Sequence, residues 1–148
     1  MYVIASDHGG LELKEAIVKL LAERGLPHSD MGPINLNSVD YPDYGAKVAG
    51  AVSTGEAESG ILICGTGIGM SIVANKFQNV RAALVHDPFT AQMAKEHNNA
   101  NVLVLGGRIL SVAQGVELVK VWLDTRYEGG RHQLRLDKIH LCEQAQRS

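Results

Sequence analysis

GILICGTGIGMSIVANK, residues 60–76, decides the fold. Gly60 to Cys64 is a short unbroken apolar run, as in a strand covered on both faces. It breaks into Gly65-Thr66-Gly67-Ile68-Gly69, and a helix is expected from Ile68 to Lys76. Strand, glycine-rich turn and helix together open a β–α–β unit, whose strands run parallel. Downstream the alternation repeats. Arg81 to Val85 reads as strand, Pro88 to His97 as helix, Asn101 to Leu105 as strand and Val112 to Leu123 as helix. After Gly129-Gly130, Arg131 to Ala145 reads as a last helix, too polar for a central core.

Upstream, Tyr2 to Ser6 is a short apolar run that reads as a buried strand. Leu11, Leu13, Ala16, Ile17, Leu20 and Leu21 recur at helical spacing, with Gly25 placed to stop that helix. Pro27 to Pro42 is the least regular stretch and holds one weak strand at most, and Tyr44 to Val52 is helical again. The expectation is an α/β protein: one doubly wound, Rossmann-like domain over residues 1–148 with about five parallel strands, helices on both faces and a C-terminal helix.

Composition narrows the partners. The chain has 148 residues, 45% of them hydrophobic but only 5% aromatic, so Val, Ile, Leu and Ala must fill the core. A net charge of -2 argues against nucleic acid or an anionic membrane as the main partner. The two cysteines, Cys64 and Cys142, give neither a disulfide framework nor the tight spacing of a zinc site. No apolar run reaches the ~18 residues of a membrane span, and MYVIASDHGG is too short in apolar residues for a signal peptide. A soluble protein of a reducing, cytoplasmic compartment is expected.

In doubly wound sheets ligands bind at the C-terminal strand ends. Here those ends carry Asp7-His8-Gly9-Gly10, Cys64 to Gly69, His86-Asp87 and Gly106-Gly107-Arg108. One edge therefore gathers a thiol, two imidazoles, two carboxylates, a hydroxyl and a guanidinium. The glycines after Cys64 let backbone N–H groups approach a ligand, and a helix start favours negative charge. A thiol there is a candidate base or nucleophile beside an oxyanion site. A dinucleotide fingerprint would normally follow the first strand, and no Gly-Lys-Ser/Thr follows for a Walker loop.

Each candidate has a plain structural alternative. Cys64 could be a buried strand-end thiol, Asp7 a helix cap beside His8, and Thr66 the cap of the next helix. His97 could serve the dipole at a helix end, and His86 could be a polar strand-end residue. Arg131 and Arg135, four apart on one helical face, suit either a phosphate or water; Lys138 lies off that pair. His28, His140 and Cys142 read as surface, and Met70, Met93 and Trp122 as core.

Asp7-His8, Tyr41-Pro42, the run CGTGIGMSIVANK, His97-Asn98 and GGRHQLR (129–135) together resemble ribose-5-phosphate isomerase type B, a family shared with the galactose-6-phosphate isomerase subunits. The resemblance spans nearly the whole chain. It implies an aldose–ketose isomerase of the pentose phosphate pathway, interconverting ribose and ribulose 5-phosphates through an enediolate. Cys64 would be the base, where some members carry a glutamate. The backbone of Gly65, Gly67, Ile68 and Gly69 would hold the enediolate. His97 would open the furanose with help from Asp7 and Thr66, and Asn98 and Tyr41 would position hydroxyls. His8, Arg108, Arg131 and Arg135 would bind phosphate.

The resemblance also implies no cofactor and no metal, which matches a sequence without an evident ligand cluster. It implies sites built at a two-fold dimer interface, with His97, Asn98 and Arg108 serving the partner subunit's Cys64. The polar 131–148 arm has little reason to pack in its own core and is expected to lie on the partner. One chain carries both sets of groups, so a homodimer or homotetramer is expected. A six-carbon substrate such as allose 6-phosphate or galactose 6-phosphate is the alternative within the class, and a phosphate- or nucleotide-binding module is the alternative outside it. A thiol phosphatase fits less well, because no arginine follows Cys64 in its loop.

Overall fold

The structure is a computed structural model that describes residues 1–147; Ser148, the end of the expected C-terminal arm, lies outside them. Among the described residues, five strands form one parallel sheet in the order β2-β1-β3-β5-β4. The strands are β1 (Tyr2–Ser6), β2 (His28–Asp30), β3 (Ser59–Cys64), β4 (Ala82–Leu84) and β5 (Val102–Gly106). The helices are α1 (Leu11–Glu23), α2 (Tyr41–Ser53), α3 (Ile68–Ala74), α4 (Pro88–Glu96), α5 (Val112–Asp124) and α6 (Arg131–Arg147). The doubly wound expectation holds.

Strand alternation sorts the core into two layers. Ile61 and Ile63 of β3 face α1, α4 and α5, whose Ile17, Leu21, Ala91, Leu118 and Trp122 pack with them. Leu62 and Cys64 face the other way, towards Val48 and Val52 of α2 and Met70 of α3. Both faces are dry, so β1, β3 and β5 are apolar almost throughout, as the sequence required. Trp122 is fully buried, edge-on to Tyr2 at 6.3 Å between ring centroids. Met70 is core as expected, whereas Met93 is only half-buried.

Two boundaries differ from the sequence reading. Helix α2 starts at Tyr41 instead of Tyr44, because Pro42 lies in its first turn, where a missing N–H costs nothing. Helix α3 stops at Ala74, since Asn75 turns its amide to Ala82 at the start of β4. Short β2 is secured by a pair the sequence did not reveal. Lys14 of α1, 1% exposed, donates to both carboxylate oxygens of Asp30 at 2.7 and 2.6 Å. Asp30 also accepts the Gly32 N–H at 2.9 Å. Gly25 takes the left-handed conformation expected after α1, with φ +66°.

The chain leaves β1 for β2 on one side and returns through α2 to β3 on the other. The crevice at this reversal, between the C-terminal ends of β1 and β3, is where doubly wound sheets place ligands. Among the described residues no helix is long and apolar enough to cross a membrane.

Candidate active site

At the end of β1, Ser6 is fully buried and donates to the Asp7 carbonyl at 2.8 Å. Asp7 caps the one-turn helix His8–Gly10, its Oδ1 accepting the Gly10 N–H at 2.9 Å. The capping role foreseen for Asp7 is thus real, and its side chain stays only half-buried beside the crevice. His8 accepts the Val39 N–H on Nδ1 at 3.2 Å. That bond leaves Nε2 to carry the proton of the neutral ring.

Cys64 ends β3, 5% exposed and paired with Gly106 of β5. Its carbonyl accepts the Gly107 N–H at 2.8 Å, and that of Gly65 accepts the Arg108 N–H at 2.9 Å, tying the two strand-end loops together. Gly67 sits at φ +82°, and a Cβ there would overlap Leu84 and the backbone of Leu105, so only glycine fits. Thr66 is exposed and accepts the Ile68 N–H at 3.2 Å. A Cβ on Gly69 would clash with the edge and hydroxyl of the Tyr41 ring, which places that phenol directly against the loop.

Arg108 departs from expectation. The resemblance implies that it serves a partner subunit with His97 and Asn98, yet its side chain lies over Gly65 and Gly9 of its own chain. The turn that bonds Arg108 N–H to Gly65 forces this. His86 is exposed, and its neighbour Asp87 is engaged in a capping box with Thr90. The Thr90 bonds hold the Asp87 carboxyl below the usual carboxylate range.

A second group forms elsewhere. Helix α4 runs back against the strands, so His97 at its C-terminus lies near the N-terminal end of β5, at the sheet edge opposite Cys64. The Glu128 N–H bonds the Glu96 carbonyl at 2.9 Å, and left-handed Gly129 and Gly130 turn the chain into α6. A cavity of about 350 Å³ results, lined by His97, Asn98, Arg131, His132, Arg135 and Leu136. The sequence-derived residues therefore gather in two places in one chain. Asp7, His8, Tyr41, Cys64 to Gly69 and Arg108 form one; His97, Asn98, Arg131 and Arg135 form the other. The four phosphate candidates are split between them.

His132 was missed. It is 6% exposed, and its ring stacks on His97 with centroids 4.0 Å apart. The available signal was its spacing of four from Leu136, which puts both on the buried stripe of α6. His97, His132 and Glu128 offer ligand atoms all within 4.8 Å of one another. Spacing along the chain hides this group, which the end of α4, the segment before α6 and the first turn of α6 bring together. His140 and Cys142 are exposed as expected, but His28 is half-buried, its Nδ1 2.8 Å from the Leu26 carbonyl.

A family model described as Ribose/Galactose Isomerase matches residues 2–139. The chain belongs to this ribose/galactose isomerase family. Within the ribose/galactose isomerases, a putative sugar phosphate isomerase of Bacillus subtilis is 50% identical over 137 residues, covering 92% of each chain. Ribose-5-phosphate isomerase B of Escherichia coli is 46% identical over 138 residues, 93% of each. The crystal structure of ribose-5-phosphate isomerase B from Mycoplasma genitalium with bound ribulose-5-phosphate superimposes with a TM-score of 0.94 at 43% identity, covering 97% of this chain and 95% of that one.

Proposed function

We propose that this protein interconverts ribose 5-phosphate and ribulose 5-phosphate. The observation that carries the reading is the seat of Cys64 at the sheet's reversal point. The thiol closes β3 beside Asp7 and opens onto the loop fixed by Gly67 and Tyr41. Its near relatives with that activity support the choice of substrate.

In the open-chain aldose, the Cys64 thiolate takes the proton from C2, and the electrons move into an enediolate. The N–H groups of the Gly65–Gly69 loop stabilise its oxygens, and Cys64 returns the proton to C1 as a proton passes between O1 and O2. His97 exchanges the proton that opens the ring, helped by Asp7 and Thr66, and Asn98 and Tyr41 position the hydroxyls. His8, Arg108, Arg131 and Arg135 neutralise the phosphate. The chemistry needs no metal and no cofactor, because one base and preorganised donors supply it.

His97 and Cys64 of one chain are roughly 13 Å of strand apart, so a complete site takes its two halves from two subunits. The outer surface of α6 supports this. Leu134, Ile139 and Leu141 are exposed on it. A cleft of about 740 Å³ separates α6 from the segment joining α3 to β4, although Glu143 accepts the Asn79 N–H across it at 2.7 Å. In this reading α6 lies on the partner of a cytoplasmic homodimer. The test is to incubate EDTA-treated protein with ribose 5-phosphate and with allose 6-phosphate and follow ketose formation. Turnover of only the six-carbon sugar overturns the substrate, and turnover of neither leaves a phosphate-binding module.

A further inference from the structure

His132 carries an unexplained atom. Its Nε2 is buried and has no hydrogen-bond partner among the described residues. The nearest carboxylate oxygen, on Glu128, is 3.6 Å away, too long for a bond. A buried imidazole nitrogen left unpaired costs free energy, so the fold tolerates it only where something else stabilises the arrangement. The His97 ring lies parallel above it, 17° between planes, and its Nε2 is 3.7 Å from Glu96. Two imidazoles and the Glu128 carboxylate thus converge from the end of α4 and the start of α6.

We propose that His97, His132 and Glu128 form a binding site for a borderline transition-metal ion such as Zn²⁺ or Co²⁺, and that filling it inhibits the enzyme. Two nitrogens and one oxygen are the donor set of three-ligand zinc sites, whereas Mg²⁺ and Ca²⁺ want oxygens alone. Metal–ligand bonds of about 2.1 Å put tetrahedral donors about 3.4 Å apart. The donors, now all within 4.8 Å of one another, must therefore draw together. His132 is the fixed member, while His97 and Glu128, 36% and 52% exposed, have room to swing in. Arg131 and Arg135 line the same cavity, and their charge makes the site weaker than a dedicated structural one. They would also hold an anion at the open coordination position.

Inhibition rests on the function proposed above: a metal on His97 takes the lone pair that ring opening needs. Binding does not rest on it, so the two are measured separately. EDTA-stripped full-length protein is titrated with Zn²⁺ against a chromophoric chelator. One ion per chain is expected, with affinity lowered at least about tenfold in Glu128→Gln and in His132→Gln, unchanged in Cys142→Ser, and no response to Mg²⁺. Co²⁺ should give a ligand-field spectrum without a thiolate charge-transfer band. With ribose 5-phosphate, Zn²⁺ should inhibit and EDTA restore activity. Glu128→Gln should keep the basal rate and need at least about ten times more Zn²⁺. Unaltered affinity in Glu128→Gln, a thiolate band, or no binding overturns the site. Binding without inhibition overturns its effect on the enzyme. Glu128 is exposed enough for its variant to fold, so a failure of His132→Gln to fold leaves the test intact.

Discussion

Cys64 and His97 stand at opposite ends of the same pair of strands. Cys64 faces Gly106 on the last rung between β3 and β5, whereas His97 precedes the first residue of β5 on the far edge. Under the proposed roles, a base and a ring-opening group so separated do not meet within one chain, and each substrate would touch two subunits.

Mixing variants tests that division. Cys64→Ala and His97→Asn should each be nearly inactive alone. Refolded together in equal amounts, they should recover about a quarter of the parental activity, since half the dimers are mixed and each mixed dimer holds one intact site. A mixture as inactive as its components would place both groups in one subunit.

Cys64→Ala should fold normally, because alanine fits the same strand end, and should lose roughly 10²–10⁴ in turnover with its base. Iodoacetamide should inactivate the parent, with substrate slowing the loss. Exposed Cys142 will react as well, so peptide mapping must correlate inactivation with Cys64. A Cys64→Ala rate within a few-fold of the parent removes the thiol from the mechanism.

Arg131 and Arg135 share a helical face beside His97. Arg135→Lys keeps the charge but loses the forked donor geometry. KM should rise much more than kcat falls, because phosphate is bound in ground and transition states alike. Inorganic phosphate should compete with substrate in the parent and much less in the variant. Unchanged KM and phosphate inhibition would return the phosphate to His8 and Arg108.

The Lys14–Asp30 pair predicts an asymmetry in stability. Asp30→Ala strands an ammonium that is 1% exposed and also frees the Gly32 N–H, and should cost on the order of 3 kcal/mol. Lys14→Met leaves Asp30, 35% exposed, which water can solvate, and should cost clearly less. Denaturant midpoints at constant slope decide it; equal losses would mean the pair is not the anchor of β2.

The alternation of strands and helices, the parallel doubly covered sheet and the loop after Cys64 are all legible along the chain. Those features are local, because apolar periodicity reports which faces are buried and glycine reports where the backbone must bend left-handed or come close to a neighbour. Which groups meet depends on how the elements pack in three dimensions. Helix α4 returns against its strands and so carries His97 away from Cys64. The turn Gly106–Arg108 bonds to Gly65 and holds Arg108 at its own chain's crevice. The Glu96–Glu128 backbone bond and the turn at Gly129-Gly130 place His132 under His97. Lys14 finds Asp30 because α1 packs beside β2. None of these contacts leaves a pattern along the chain, since each is set by the direction in which separate elements cross the sheet.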